Sequence, residues 1–222
     1  MFVLALDIRR STFLMKEAVD FDEYAGTLNG FIDSARQAIR DLYRGWFDKF
    51  TGDGFLCYWV VEEAEHDDYH DAYVRTMRRV ITMAQAARDI YEEVTLEQIR
   101  HNTRNLPAGV GVSIGLDAGP GYLVEMGGDL TIVGPPVVGA VRMVEAAKFP
   151  REIVANVYVG GTLSALKAST GEDHMDVDIR REMRPTKEYR EGQEVYLINS
   201  PQPDSLQARI EEEVQSEDID DG

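Results

Sequence analysis

Met1 to Ile8 is apolar at every position but Asp7, and Arg9-Arg10-Ser11-Thr12 follows at once. A run this short, closed this abruptly, predicts a buried central strand with Asp7 near its end. Over residues 21–44 the apolar side chains Leu28, Phe31, Ile32, Ala35, Ile39 and Leu42 recur mostly at three- and four-residue steps, the period of an amphipathic helix. The pattern then changes to two aromatic-rich strands, residues 46–50 and 55–61. Between them Thr51-Gly52-Asp53-Gly54 carries the glycines of a tight turn.

Residues 62–104 are polar and charged, with Val74, Met77, Val80, Ile81 and Ala84 as an inward stripe, which predicts a second long helix. Residues 109–117 and 121–126 alternate around glycines and are expected to pair as strands; residues 133–147 read as a buried helix. A strand over 153–159, a short helix over 162–168 and a last strand over 194–198 complete the pattern. Helices packed on one sheet with several antiparallel strand pairs make an α+β fold, an α/β sandwich. After Pro201 the composition shifts to Glu211-Glu212-Glu213 and Glu217-Asp218-Ile219-Asp220-Asp221, so a domain over 1–200 and an acidic tail over 201–222, disordered or loosely helical, are expected.

A length of 222 residues with 44% hydrophobic content supports one good core. The net charge of −17 argues against a free nucleic-acid surface, because phosphate-backbone affinity comes from lysine and arginine. An anionic ligand must therefore meet a local site, with metal ions. The single cysteine, Cys57, excludes an intramolecular disulfide, and a mid-strand place among aromatics makes it a small core residue. No leader pattern opens the chain and no apolar run is long enough for a membrane helix, so a cytoplasmic protein without membrane insertion is expected.

Two carboxylates carry the chemistry. Asp7 ends an apolar strand, and Asp53 sits between two glycines at a hairpin tip, one helix and one strand later. Gly-Asp-Gly is also ordinary turn chemistry, but both aspartates on adjacent central strands would face one cleft. Magnesium and manganese take oxygen ligands, and paired aspartates with substrate phosphates are a usual way of holding them. His66 and His70, four apart amid acidic neighbours, read as a solvated helix face rather than a zinc site. No G-x-x-x-x-G-K-[ST] loop is present, which disfavours a P-loop NTPase. The hairpin aromatics read as core or dimer contact, since no basic groove accompanies them.

Val3-Leu4-Ala5-Leu6-Asp7-Ile8 with Arg9 to Phe13, Phe47-Asp48-Lys49-Phe50-Thr51-Gly52-Asp53-Gly54, Gly111-Val112-Ser113-Ile114-Gly115 with Gly119, and Leu130-Thr131-Ile132-Val133-Gly134 with Val138 and Arg142 resemble the class III adenylate and guanylate cyclase domain in order and spacing. The likeness runs over residues 1–200 and implies a ferredoxin-like βαββαβ core with a mostly antiparallel sheet. It implies that Asp7, the Ile8 carbonyl and Asp53 hold two divalent ions, Mn2+ or Mg2+. The turn Arg9 to Phe13, with Ser11 and Thr12, would offer backbone N–H groups to a triphosphate. Arg142 would meet the transition-state charge. Lys49, with Phe50 beside it, and Thr131 would read the base; a lysine donor suits adenine N1 or uracil O4, and opposes the cytosine amino group. Val138 stands where the family usually has a ribose-orienting asparagine.

Among cyclases the chain resembles the compact pyrimidine cyclases of bacterial Pycsar anti-phage systems, in its Asp-Ile-Arg-Arg-Ser-Thr and Phe-Asp-Lys-Phe-Thr-Gly-Asp-Gly stretches and its Val-Gly-x-Pro-Val-Val segment. That resemblance implies a homodimer with shared sites that makes cyclic UMP or cyclic CMP for a separate effector protein, and the Lys49 donor favours UTP as the substrate. Cyclic CMP synthesis, adenylate cyclase activity and an inactive nucleotide-sensing domain are the alternatives.

Overall fold

The computed structural model describes residues 1–62, 68–170 and 177–198. Strand β1 (Phe2–Arg9) lies between β3 (Gly54–Trp59) and β4 (Gly111–Ala118), antiparallel to both. Both its faces are buried, which is why it reads as an unbroken apolar run. Phe2, Leu4, Leu6 and Ile8 belong to one core with Phe31, Ala35 and Ile39 of helix α2 (Phe21–Asp41) and Met77, Val80 and Ile81 of helix α3 (Tyr69–Ile90). Apart from Ala35, each such side chain contributes about 1.5–3 kcal/mol when fully buried. Val3 and Ala5 belong to the opposite face, with Ala140 and Val144 of helix α5 (Pro135–Ala146).

The sheet has seven strands in the order β2-β3-β1-β4-β7-β9-β8, with β2 Trp46–Phe50, β7 Ile153–Ala155, β8 Ile179–Arg184 and β9 Gln193–Ile198. Only β4 and β7 run parallel. The half β2-β3-β1-β4, with α2 and α3 on one face, is the expected ferredoxin-like unit.

Local chemistry sets the helix ends. Asp20 caps α2, accepting from the Asp22 and Glu23 amides at 2.9 and 3.2 Å, and Asp68 caps α3 through the Asp71 amide at 2.9 Å. Pro135 and Pro136 open α5, where their fixed φ is already helical. Helix α3 widens into a π turn (Tyr91–Thr95) before a short helix α4 (Leu96–His101), so the single helix expected over 62–104 begins later and has a break in it. Exposed His70 lies on α3; His66 and the tail 201–222 lie outside the described residues. A short helix α1 (Ser11–Glu17) follows β1.

Two expectations fail, and one strand goes unforeseen. Residues 109–117 and 121–126 do not pair: β4 is occupied on both edges by β1 and β7. Instead β5 (Tyr122–Met126) turns back through Gly127 and Gly128, at φ 66° and 94°, and pairs with β6 (Asp129–Val133). The strand expected over 153–159 stops at Ala155, because the Asn156 side chain accepts from the Tyr158 and Val159 amides (both 3.1 Å) and starts helix α6 (Val157–Thr170). The same Asn156 donates to the buried Asp117 carboxylate. Strand β8, polar and charged at the sheet edge, was not expected at all.

Helix α5 rides directly on β4. A Cβ at Gly115 would lie 2.0 Å from the Ala140 carbonyl oxygen and 2.6 Å from the Val144 nitrogen, so only glycine allows this approach.

Candidate active site

Asp7 and Asp53 line one cleft of about 310 Å³, with Thr51, Val141 and Glu145 among its walls. The register pairs Asp7 with Gly54, where a Cβ would fall 1.9 Å from the Leu6 carbonyl oxygen; the glycine lets the hairpin tip close onto β1. Two bonds fix Asp53 there. Its carbonyl accepts from the Ile8 amide at 2.9 Å, and its Oδ2 accepts from the Ser11 hydroxyl at 2.7 Å. Burial and the neighbouring Asp53 carboxylate push Asp7 up to about 6, against the pull of Arg9. Two carboxylates held this close repel, and a hard divalent cation relieves that cost. Among the described residues no three His, Cys, Asp or Glu side chains are grouped to hold a metal. The donor set is therefore two carboxylates, which fits magnesium or manganese completed by backbone and substrate oxygens.

The Arg9 guanidinium is turned to other work. It donates to Ser113 Oγ at 2.6 Å and to the carbonyls of Val144 and Ala147 at 2.8 and 2.9 Å, fastening the end of α5 to β1. In the turn that follows, Phe13 donates its amide to the Arg10 carbonyl at 2.9 Å and is lost to a phosphate cradle; Ser11 is buried by its bond to Asp53, and Thr12 is exposed.

Lys49 and Thr131 meet away from this cleft. Lys49 Nζ donates to Thr131 Oγ1 at 3.0 Å, and Thr131 in turn donates to Asp48 Oδ1 at 2.7 Å. Asp48 was the residue not singled out for a role. It sits at a bulge in the β2–β3 register, its side chain wholly buried, and also accepts from the Ile132 amide at 2.9 Å. Its other oxygen forms no aligned hydrogen bond and lies 3.2 Å from Lys49 Nζ. Phe50, next on the strand, is about half exposed at 48%. Arg142 on α5 lines a further cleft with Val138, Lys187 and Glu188; it pairs with Glu188, and Lys187 reaches Glu145 at 2.5 Å. Lys187 was not anticipated either, since its loop carries no pattern.

No protein-family model and no curated protein matches the chain. Among solved structures, the adenylyl cyclase CyaB from P. aeruginosa superposes with a TM-score of 0.69 at 20% identity, over 91% of this chain and 95% of that one. The chain has the nucleotide cyclase fold. The guanylate cyclase domain of RhGC from Catenaria anguillulae, solved with GTP, shares the fold at TM-score 0.63 and 16% identity, over 90% and 96% of the two chains. The guanylyl cyclase Cya2 does so at 0.61 and 16%, over 91% and 92%. Within this cyclase fold the Lys49–Thr131–Asp48 chain lies outside the carboxylate cleft, and the Arg142 cleft adjoins it across Val141 and Glu145. Of the site residues expected from sequence, only Asp7, Asp53 and Arg9 line the carboxylate cleft.

Proposed function

We propose that two copies of this chain form a class III nucleotide cyclase. Each site would join the Asp7–Asp53 cleft of one copy to Lys49, Thr131 and Arg142 of the other. The observation that carries the reading is the carboxylate pair, packed at the end of β1 and fastened by Ser11, in a fold shared with nucleotide cyclases. A shared site is supported by Lys49, Thr131 and Arg142 not lining the carboxylate cleft of their own chain. It is also supported by the β5–β6 hairpin, where Tyr122, Leu123, Met126 and Leu130 are exposed, an apolar surface of the kind a partner covers.

In the reaction the ribose 3′ oxygen attacks the α-phosphorus, the new P–O bond forms as the bond to the β-phosphate oxygen breaks, and pyrophosphate leaves with the electron pair. Asp7, Asp53 and the Ile8 carbonyl would hold two divalent ions, Mn2+ or Mg2+, which when bound acidify the 3′ hydroxyl and neutralise the triphosphate. Arg142 would grip the oxygens that gain charge in the transition state. Val138, 49% exposed beside it, offers no hydrogen bond to the ribose.

For the base, the Thr131 hydroxyl already donates its hydrogen bond to Asp48, so it presents a lone pair beside the Lys49 donor. That pair fits the N3–H and O4 of uracil, and UTP is the substrate we infer. The product, cyclic UMP, would act on a separate effector in anti-phage defence, as the sequence resemblance implies. Adenine offers N6–H and N1 in the reverse order, and CyaB is an adenylyl cyclase, which makes ATP the second reading.

The test is to incubate the purified chain with manganese and each of the four ribonucleoside triphosphates, with Asp53→Ala as the blank, and resolve products by mass. Cyclic UMP confirms the reading, cyclic AMP moves it to the adenylate cyclases, and silence with all four overturns catalysis.

A further inference from the structure

The bonds around Thr131 leave each of its polar neighbours a single free position. A threonine hydroxyl has one proton and two lone pairs. The proton goes to Asp48 Oδ1 at 2.7 Å and one lone pair accepts from Lys49 Nζ at 3.0 Å, so one lone pair is left to face a ligand. Of the three Lys49 protons, one lies on Thr131 and one is drawn by charge toward Asp48 Oδ2, 3.2 Å away, which leaves one donor. The outward pattern is one donor beside one acceptor.

Asp48 sets that pattern, and a structural role does not account for it. The β2–β3 register slips between Phe47 and Lys49, and a bulge of this kind re-aims a side chain; that of Asp48 is wholly buried against β6. Joining the bulge to β6 takes one acceptor for the Ile132 amide, at 2.9 Å, which a neutral asparagine or serine also supplies. A carboxylate here is costly, since its Oδ2 is buried without an aligned hydrogen bond. What the carboxylate adds is polarity. It has no proton and can only accept, so the Thr131 hydroxyl must donate inward and cannot turn its proton to a ligand.

Keto and amino bases of one ring size carry their edge groups in opposite order, O4 and N3–H in uracil against N4–H and N3 in cytosine. A hydroxyl free to rotate meets either edge. One held as an acceptor leaves the reversed edge unpaired, and that is how a polar site rejects an analogue.

We propose that Asp48 is a specificity-determining residue: by holding Thr131 as an acceptor it makes the site discriminate keto from amino bases. It touches no substrate and acts through Thr131, as a positioning residue. The inference rests on the cyclase reading, and holds for pyrimidines and purines alike.

The experiment gives the full chain, with manganese, equal mixtures of UTP and CTP, or of GTP and ATP, and reads the ratio of cyclic products by mass. The parent should favour one member of a pair. Asp48→Ala should narrow that ratio about tenfold, the weight of one hydrogen bond. Asp48→Asn, whose amide oxygen can still accept from Thr131 and Ile132, should keep most of it. Thr131→Val should narrow the ratio as Asp48→Ala does, and adding Asp48→Ala to Thr131→Val should change it no further. A merely structural Asp48 would slow both substrates alike and leave the ratio where it was. Should Asp48→Ala fail to fold, Asp48→Ser, which can still accept from the Ile132 amide, is read in its place. A parent silent with all four triphosphates overturns the cyclase reading and this inference with it. An active parent indifferent within both pairs, an unchanged ratio in Asp48→Ala, an equal loss in Asp48→Asn, or a further loss in the double variant overturns this inference alone.

Discussion

Arg184→Met should cost this fold a large share of its stability. Arg184, on an edge strand, is nonetheless 1% exposed. It donates to both Glu152 oxygens at 2.6 and 2.8 Å, to the Ala146 carbonyl at 3.0 Å and to Glu182 at 2.9 Å. Burial alone would lower its pKa, but the bond and charge of Glu152 outweigh that and raise it. Glu152 also accepts from the Lys148 and Phe149 amides at 2.7 and 3.3 Å, so one carboxylate joins β8 to the loop after α5. Removing the arginine leaves that carboxylate buried without its cation, a loss of about 3–5 kcal/mol. A domain of this kind has about 5–15 kcal/mol in total. Removing both charges, in Arg184→Met/Glu152→Gln, should cost less than the sum of the single changes, by about 0.5–3 kcal/mol. Urea unfolding followed by circular dichroism, at unchanged slope, measures all three variants. A loss below about 1 kcal/mol for Arg184→Met, or strict additivity in the double variant, would refute the reasoning.

Ser11→Ala removes the hydroxyl that fastens Asp53, and should weaken manganese affinity about tenfold to a hundredfold with little change in melting temperature; metal titration reads this directly. Asp117, pushed up to about 7 chiefly by burial against the Ala118 and Asn156 donors, keeps a proton in the folded chain that the unfolded chain has lost above its ordinary 3.8. Stability from it therefore falls as pH rises from about 4 to about 7, and Asp117→Asn should gain on the parent across that window in denaturation curves; parallel curves would count against it. Under the shared-site reading, Asp53→Ala and Arg142→Ala proteins, each inactive alone, should regain activity on mixing through one intact site per heterodimer.

Much of this architecture is legible where one face of an element is dictated by burial. The stripe Phe31, Ala35, Ile39 marks α2, and the unbroken run ahead of Asp7 marks the middle of the sheet. The failures have local causes. Val157-Tyr158-Val159 has strand-forming side chains, yet Asn156 before it offers a cap that outcompetes extension. Strand β8 carries Arg180, Arg181 and Glu182 because an edge needs charge, and a charged edge has no apolar alternation to detect. In the candidate site Asp7 and Asp53 stand out because a carboxylate at the end of a buried strand is conspicuous. Asp48 does not: in sequence it is a polar residue in a strand, and its burial exists only because β6, far along the chain, comes to lie beside it.

That contact has a mechanical consequence. Asp48 links the bulge of β2 to β6, and β6 belongs to the same two-stranded hairpin that carries the exposed apolar side chains Tyr122, Met126 and Leu130. Whatever presses on that hairpin carries Thr131 with it and reaches Lys49 through the Thr131 hydroxyl and the Asp48 carboxylate. Under the shared-site reading, recognition of the second copy and selection of the base would share one lever, so that retuning either by mutation would shift the other.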